Sequence, residues 1–115
     1  MIVPRSDPPL PPATFLILLA LATSDKHGYA IMQETRKLSD SGFRIGPATL
    51  YTTIQRLLDF QWIEEVAGSE SVDSRRRYYH LTTQGKSALK LEMGRLEALV
   101  KKSKAIRLRL AEDAS

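Results

Sequence analysis

Five side chains between Gly46 and Leu58 have the types and spacing to act together on a nucleic acid. Ala48, Thr49, Thr52, Gln55 and Arg56 recur as one side of a helix. Those in the first turns are small and would let the helix approach a duplex closely. Gln55 and Arg56 are long enough to reach base edges or phosphates in a major groove. The other side is apolar, with Leu50, Ile54, Leu57 and Leu58 at i, i+4, i+7 and i+8, a stripe that calls for burial. Pro47 suits the first helical position, where its missing N–H costs nothing, and Gly46 can serve as the N-cap. An ordinary amphipathic surface helix carries the same pattern, so the surrounding elements must decide.

The chain has 115 residues, 43% of them hydrophobic, which is one domain with enough apolar material for a core. Its formal charge is +4 and its pI about 9.6, compatible with a polyanionic partner but not diagnostic of one. The absence of cysteine excludes disulfides, thiolate metal sites and cysteine nucleophiles, and suits a cytoplasmic location.

Phe15 to Ala22 is a run of eight apolar residues, too short to span a bilayer, which takes roughly 20. Arg5 and Ala20-Leu21-Ala22 could mimic the ends of a signal peptide, but Pro8, Pro9, Pro11 and Pro12 crowd the intervening segment. The expected organisation is a flexible arm over 1–11 and then a short helix buried on most of its sides. Ser24 and Asp25 make a turn, and a second helix follows over Tyr29–Leu38, with Tyr29 or Ala30, Ile31 and Leu38 as its apolar side. Ser39-Asp40-Ser41-Gly42 breaks it, and Phe43-Arg44-Ile45 leads into the helix described first.

Beyond that helix the period changes. Trp62–Val66 and Arg75–Leu81 read as strands joined by a polar loop, which makes a β-hairpin. Alternation sends Tyr79 and Leu81 to the core. Helix-turn-helix followed by a hairpin is the winged-helix arrangement. Arg75, Arg76 and Arg77 sit where the wing would meet phosphates, whereas Glu70 and Asp73 at the loop tip oppose deep minor-groove insertion. Thr82 or Thr83 then caps one long helix to about Glu112. Leu89, Met93, Leu96 and Val100 are spaced 4-3-4, as in a coiled-coil seam, and Leu99, Ile106 and Leu110 form a second stripe. So much apolar surface on one helix predicts contact with a second copy, through Leu89, Met93, Leu96, Leu99, Val100 and Ile106.

The segments His27-Gly28-Tyr29-Ala30-Ile31, Thr49-Leu50-Tyr51, Arg56-Leu57, Trp62-Ile63 and Arg77-Tyr78-Tyr79-His80-Leu81-Thr82-Thr83-Gln84-Gly85 together resemble the PadR family of transcriptional regulators, over residues 13 to about 100. The resemblance implies a mainly α fold with a small β-hairpin. It divides into a winged helix-turn-helix domain over 12–82 and a C-terminal dimerisation helix over 83–112. It implies a homodimeric repressor that binds double-stranded operator DNA, with Tyr29, Ala48, Thr49, Tyr51, Thr52, Gln55, Arg56, Arg75, Arg76 and Arg77 as the DNA-binding set. It also implies release from DNA on sensing a small molecule, here unidentified, or another signal. Thr52 stands where the family usually has Pro, so base preference does not carry over. Gln61 stands where it usually has Gly, which removes the expected left-handed helix stop.

Catalysis finds no support. His27 and His80 are the only histidines and lack metal-ligand partners at helical or hairpin spacing. No Gly-rich phosphate loop or nucleophile elbow occurs, and Glu64 and Glu65 diverge on a strand. No cofactor, metal or membrane partner is expected. The alternative to DNA binding is a winged helix used as a protein-interaction module. The C-terminal helix contains no aromatic residue and Trp62 is the lone tryptophan, so a pocket that stacks flat aromatic effectors is not supported.

Overall fold

Pro12 opens the first helix of the computed structural model, which describes residues 9–40, 42, 44–67 and 77–113. This helix, α1 (Pro12–Thr23), buries Thr14, Ile17, Leu18, Ala20 and Leu21. Phe15, Leu16 and Leu19 pack partly buried against the same core. An all-round apolar helix is stable only when enclosed, and α1 is packed against all three other helices and the hairpin. At its C-terminus the Lys26 ammonium donates to the Ala20 carbonyl at 2.6 Å, Thr23 Oγ1 at 2.8 Å and Ser24 Oγ at 2.9 Å. A cation suits that end of the helix dipole.

Lys26–His27 form a two-residue strand, β1, and α2 (Gly28–Ser39) begins at once. His27 is its N-cap, its Nδ1 accepting the Ala30 N–H at 3.3 Å. The buried side of α2 is Gly28, Ile31 and Thr35. Leu38, expected inside, is 44% exposed, as is Tyr29 at 57%. Thr35 takes the inner position because its hydroxyl donates to the Met32 carbonyl at 2.8 Å, which removes the cost of burying it. Ile45 is buried in the link to α3 (Pro47–Asp59), which has Gly46 as N-cap and Pro47 at its first position. Leu50, Thr53, Ile54 and Leu57 are its buried residues.

The strands β2 (Ile63–Val66) and β3 (Tyr78–Leu81) pair antiparallel, Ile63 opposite Leu81 and Val66 opposite Tyr78. β1 adds to the other edge of β3, giving an antiparallel sheet of order β1-β3-β2. Tyr79 and Leu81 are buried, as their alternation required. The last helix, α4 (Thr83–Asp113), has 31 residues, a length of about 46 Å at 1.5 Å per residue. Ala88 and Leu89 join the core, and every described residue from 97 onward is exposed.

Two junctions hold these parts together. At the first, Gln61 adopts a left-handed φ of 62°, so the helix stop survives without glycine. The Trp62 N–H reaches the Leu57 carbonyl and the Gln61 N–H the Leu58 carbonyl, both at 3.0 Å, which is the Schellman pattern. Thr82 locks the same turn onto α4. Its Oγ1 donates to the Gln61 carbonyl at 2.7 Å and accepts the Gly85 N–H at 3.1 Å, and its N–H donates to the Trp62 carbonyl at 3.0 Å. Gly85 permits this approach, since a Cβ there would collide with the Trp62 carbonyl oxygen.

At the second junction Glu92, 2% exposed, takes two hydrogen bonds from Arg95, at 2.9 and 2.8 Å. The Arg95 guanidinium holds the carboxyl below the usual range, against the effect of burial, and a backbone hydrogen bond from Leu10 helps. Leu10 also packs against the core. It was expected in the flexible arm, but is anchored instead; residues 1–8 of that arm lie outside the described residues.

Candidate nucleic-acid interface

The outer side of α3 presents Ala48, Thr49, Tyr51, Thr52, Gln55 and Arg56, all exposed. The helix is fixed from behind by Leu50, Ile54 and Leu57, each at most 2% exposed. Such fixation matters, because a helix read against base edges must hold its side chains in register. Tyr51 is 54% exposed, and its hydroxyl lies over Gly28, where a Cβ would meet it at 2.5 Å. The start of α2 and the middle of α3 thus share one surface, and exposed Tyr29 follows Gly28 on it.

Gln55 is not free. Its Nε2 donates to Asp59 Oδ1 at 3.1 Å. A carboxylate accepts only, so this partner fixes which end of the amide faces it and leaves the Gln55 carbonyl outward. Asp59 was missed in the sequence; its position four residues after Gln55 is the signal that could have found it. Arg56 is exposed at the centre of the surface, a cation among small hydroxyl-bearing neighbours.

The hairpin contributes less than expected within the described residues. Arg75 and Arg76 lie outside them. Arg77 is exposed but pairs with Glu65 of the neighbouring strand, N to O 3.8 Å. At the other edge, His80 Nδ1 is 2.7 Å from Asp25 Oδ1, which ties the hairpin to the turn after α1. Asp25 was expected only as a turn residue and Glu65 only as a strand residue diverging from Glu64, neither as an ion-pair partner.

The residues expected to pair two chains divide into two groups. Leu89 is 4% exposed inside the chain's own core, so it is unavailable to a partner. Leu96 is half-buried. Met93, Leu99, Val100 and Ile106 are 37–56% exposed. Trp62 is buried, in tilted contact with Phe60 at 5.3 Å between ring centres, and is unavailable for stacking a ligand. Among the described residues no helix is long and apolar enough to cross a membrane.

Comparison with known proteins gives consistent matches. The model of the transcriptional regulator PadR-like family matches residues 17–91. The transcriptional regulator Rv3488 of Mycobacterium tuberculosis is 38% identical over 87 residues, covering 74% of this chain and 76% of that protein. A PadR family transcription regulator from Clostridium difficile is 25% identical, with a TM-score of 0.70 over 82% of this chain and 96% of the other. Bacillus subtilis PadR in complex with operator DNA is similar in fold, with 20% identity and a TM-score of 0.61 over 72% of this chain and 46% of that one.

Proposed function

Because the chain belongs to the PadR-like family of transcriptional regulators, we propose that it is a homodimeric, DNA-binding repressor that reads a palindromic operator in the cytoplasm. The family consists of regulators, not enzymes. The observation that carries the DNA reading is the fully exposed polar side of α3, set on a rigid apolar base. Bacillus subtilis PadR, which shares the fold, is in complex with operator DNA.

In this reading α3 lies in the major groove. Thr49, Thr52 and Ala48 allow close approach, while Gln55 and Arg56 contact base edges or phosphates. Tyr29 and Tyr51 meet the backbone beside it. Arg75, Arg76 and Arg77 reach phosphates along the hairpin, which positions the protein without reading sequence. Two chains pair through Met93, Leu96, Leu99, Val100 and Ile106, and set two α3 helices about 34 Å apart, one helical turn of DNA. Release from DNA follows a small molecule or another signal, and buried Trp62 is unavailable to stack a ligand.

Fluorescence anisotropy with duplex DNA tests the reading. Affinity should fall with salt, with a log–log slope of roughly −5 to −9 for a dimer, at ~0.9 per neutralised phosphate. Absence of affinity for any duplex at low salt refutes DNA binding and leaves a protein-interaction module. Sedimentation of a monomer, both free and on DNA, refutes the dimer alone.

A further inference from the structure

We propose that the groove between the N-terminus of α1 and the side of α3 is a seat for one phosphate of the DNA backbone. This inference rests on the DNA-binding reading above and adds a contact to it. The groove is lined by Ala13 and Thr14 of α1 and by Thr49, Thr52, Thr53 and Arg56 of α3, among others. Its chemistry is one-sided, because no carboxylate among the described residues borders it and Arg56 supplies a cation.

The α1 end leaves backbone donors unpaired among the described residues. Its N-cap is Pro11, which offers no side-chain hydrogen bond, and Pro12 follows at the first position. The Phe15 N–H returns to the Pro11 carbonyl at 3.1 Å. The N–H groups of Ala13 and Thr14 have no acceptor among the described residues. Two such amides at a positive helix end are suited to a phosphate oxygen.

A second observation is independent of the helix end. Thr14 and Thr53 are each only 6% exposed, and both line this groove. Neither hydroxyl has a hydrogen-bond partner among the described residues, whereas Thr35, also buried, bonds the Met32 carbonyl. Buried hydroxyls without partners are costly, and valine would fill the same volume without that cost. Two of them on facing helices, beside two free amides and a guanidinium, make a donor-rich set with no carboxylate among the described residues to receive it. A singly charged phosphodiester oxygen supplies the acceptor. Thr49, Thr52 and Arg56 also belong to the outer side of α3, so the phosphate held here flanks the groove that α3 enters.

The test uses the full chain, a random-sequence duplex of about three helical turns, and the variant Thr14→Val/Thr53→Val. Affinity should drop about tenfold, as for a lost hydrogen bond to a charged group, and equally for any sequence, since phosphate contacts read none. The salt slope should stay as in the wild type, because the lost hydroxyls are neutral and Arg56 remains. Thermal stability should not fall. A neutral methylphosphonate scanned along the duplex should weaken the wild type at one position per half-site and weaken the variant less there. If the double variant does not fold, the single variants carry the same comparison. A folded variant with unchanged affinity overturns the phosphate seat, while a wild type that binds no duplex fails the DNA reading itself. Inorganic phosphate that shifts the Ala13 and Thr14 amide resonances, combined with unchanged duplex affinity in the variant, assigns the groove to a free anion and overturns the proposal.

Discussion

Replacing Gln61 with glycine should stabilise the protein, although it removes a side chain. Gln61 holds a φ of 62°, where an L-residue with a Cβ is strained by roughly 1–2 kcal/mol. Glycine relieves that strain but brings a more flexible unfolded chain, a loss of about 0.5–1 kcal/mol. The Gln61 side chain is exposed, and the contacts that matter at this position are its backbone ones, to Leu58 and from Thr82. Glycine keeps both. The expected net gain is about 0.5–1 kcal/mol, the difference of those two effects. Urea unfolding at fixed protein concentration measures it, with Gln61→Ala as the control. Alanine keeps the strain and should gain nothing. Because the turn joins α3 to β2, Gln61→Gly should leave the relation of α3 to the hairpin, and hence DNA affinity, unchanged. If glycine lowers the midpoint while the m-value stays constant, the strain argument is wrong.

Gly85→Ala should destabilise by about 1–3 kcal/mol or more despite alanine's better helix propensity, because the obstacle is a backbone carbonyl that cannot move aside; thermal unfolding at fixed concentration checks it. Glu92→Gln should destabilise near neutral pH, and the gap to wild type should narrow as pH falls. The depressed carboxyl pKa means that its stabilisation is present above the ordinary carboxylate range and is lost as pH falls through the folded value; urea titrations across acidic pH would show a constant gap if this were wrong. Asp59→Ala frees the Gln55 amide N–H group, so a binding-site selection should return a different base preference from wild type, and an identical preference would show that Gln55 reads no base. Glu65→Gln should strengthen binding to random duplex, because it releases Arg77 and removes a carboxylate near phosphates, and a weaker complex by anisotropy would contradict that.

The parts of this fold with a strong local signal were legible in the sequence. Gly46 and Pro47 mark the start of α3, and the alternation at Tyr79 and Leu81 sets the face of β3. Two-residue β1 has no period to detect and exists only because β3 offers it an edge. Leu38, expected inside, is exposed, while Thr35 is buried because a hydroxyl that bonds its own helix is no longer costly to bury. Gln61 kept the left-handed turn because the bonds around Trp62, Leu57 and Thr82 outweigh its strain. The candidate surface was legible as a set of small, polar and basic side chains, but the carboxylates that engage it, Asp59 on Gln55 and Glu65 on Arg77, emerged only when helix and sheet brought them together.

The long helix shows why residues that touch no DNA could still control its binding. Ala88 and Glu92 face the chain's own core, and the same line along α4 continues seven residues on to Leu99 and then Ile106. Leu89 and Leu96 begin a neighbouring line that continues to Val100. Both lines are covered near the domain and uncovered beyond residue 97, where Leu99, Val100 and Ile106 are 54–56% exposed. The stripes therefore have two successive roles: the first half closes the core of one chain, and the second half is left for another surface. On the proposed dimer, that surface is the second copy, and the angle at which α4 leaves the core sets the separation of the two α3 helices. Thr82, Gly85 and the Glu92–Arg95–Leu10 junction fix that angle. Loosening any one of them should reduce affinity for a correctly spaced palindrome more than affinity for a single half-site, because only the palindrome demands a fixed spacing.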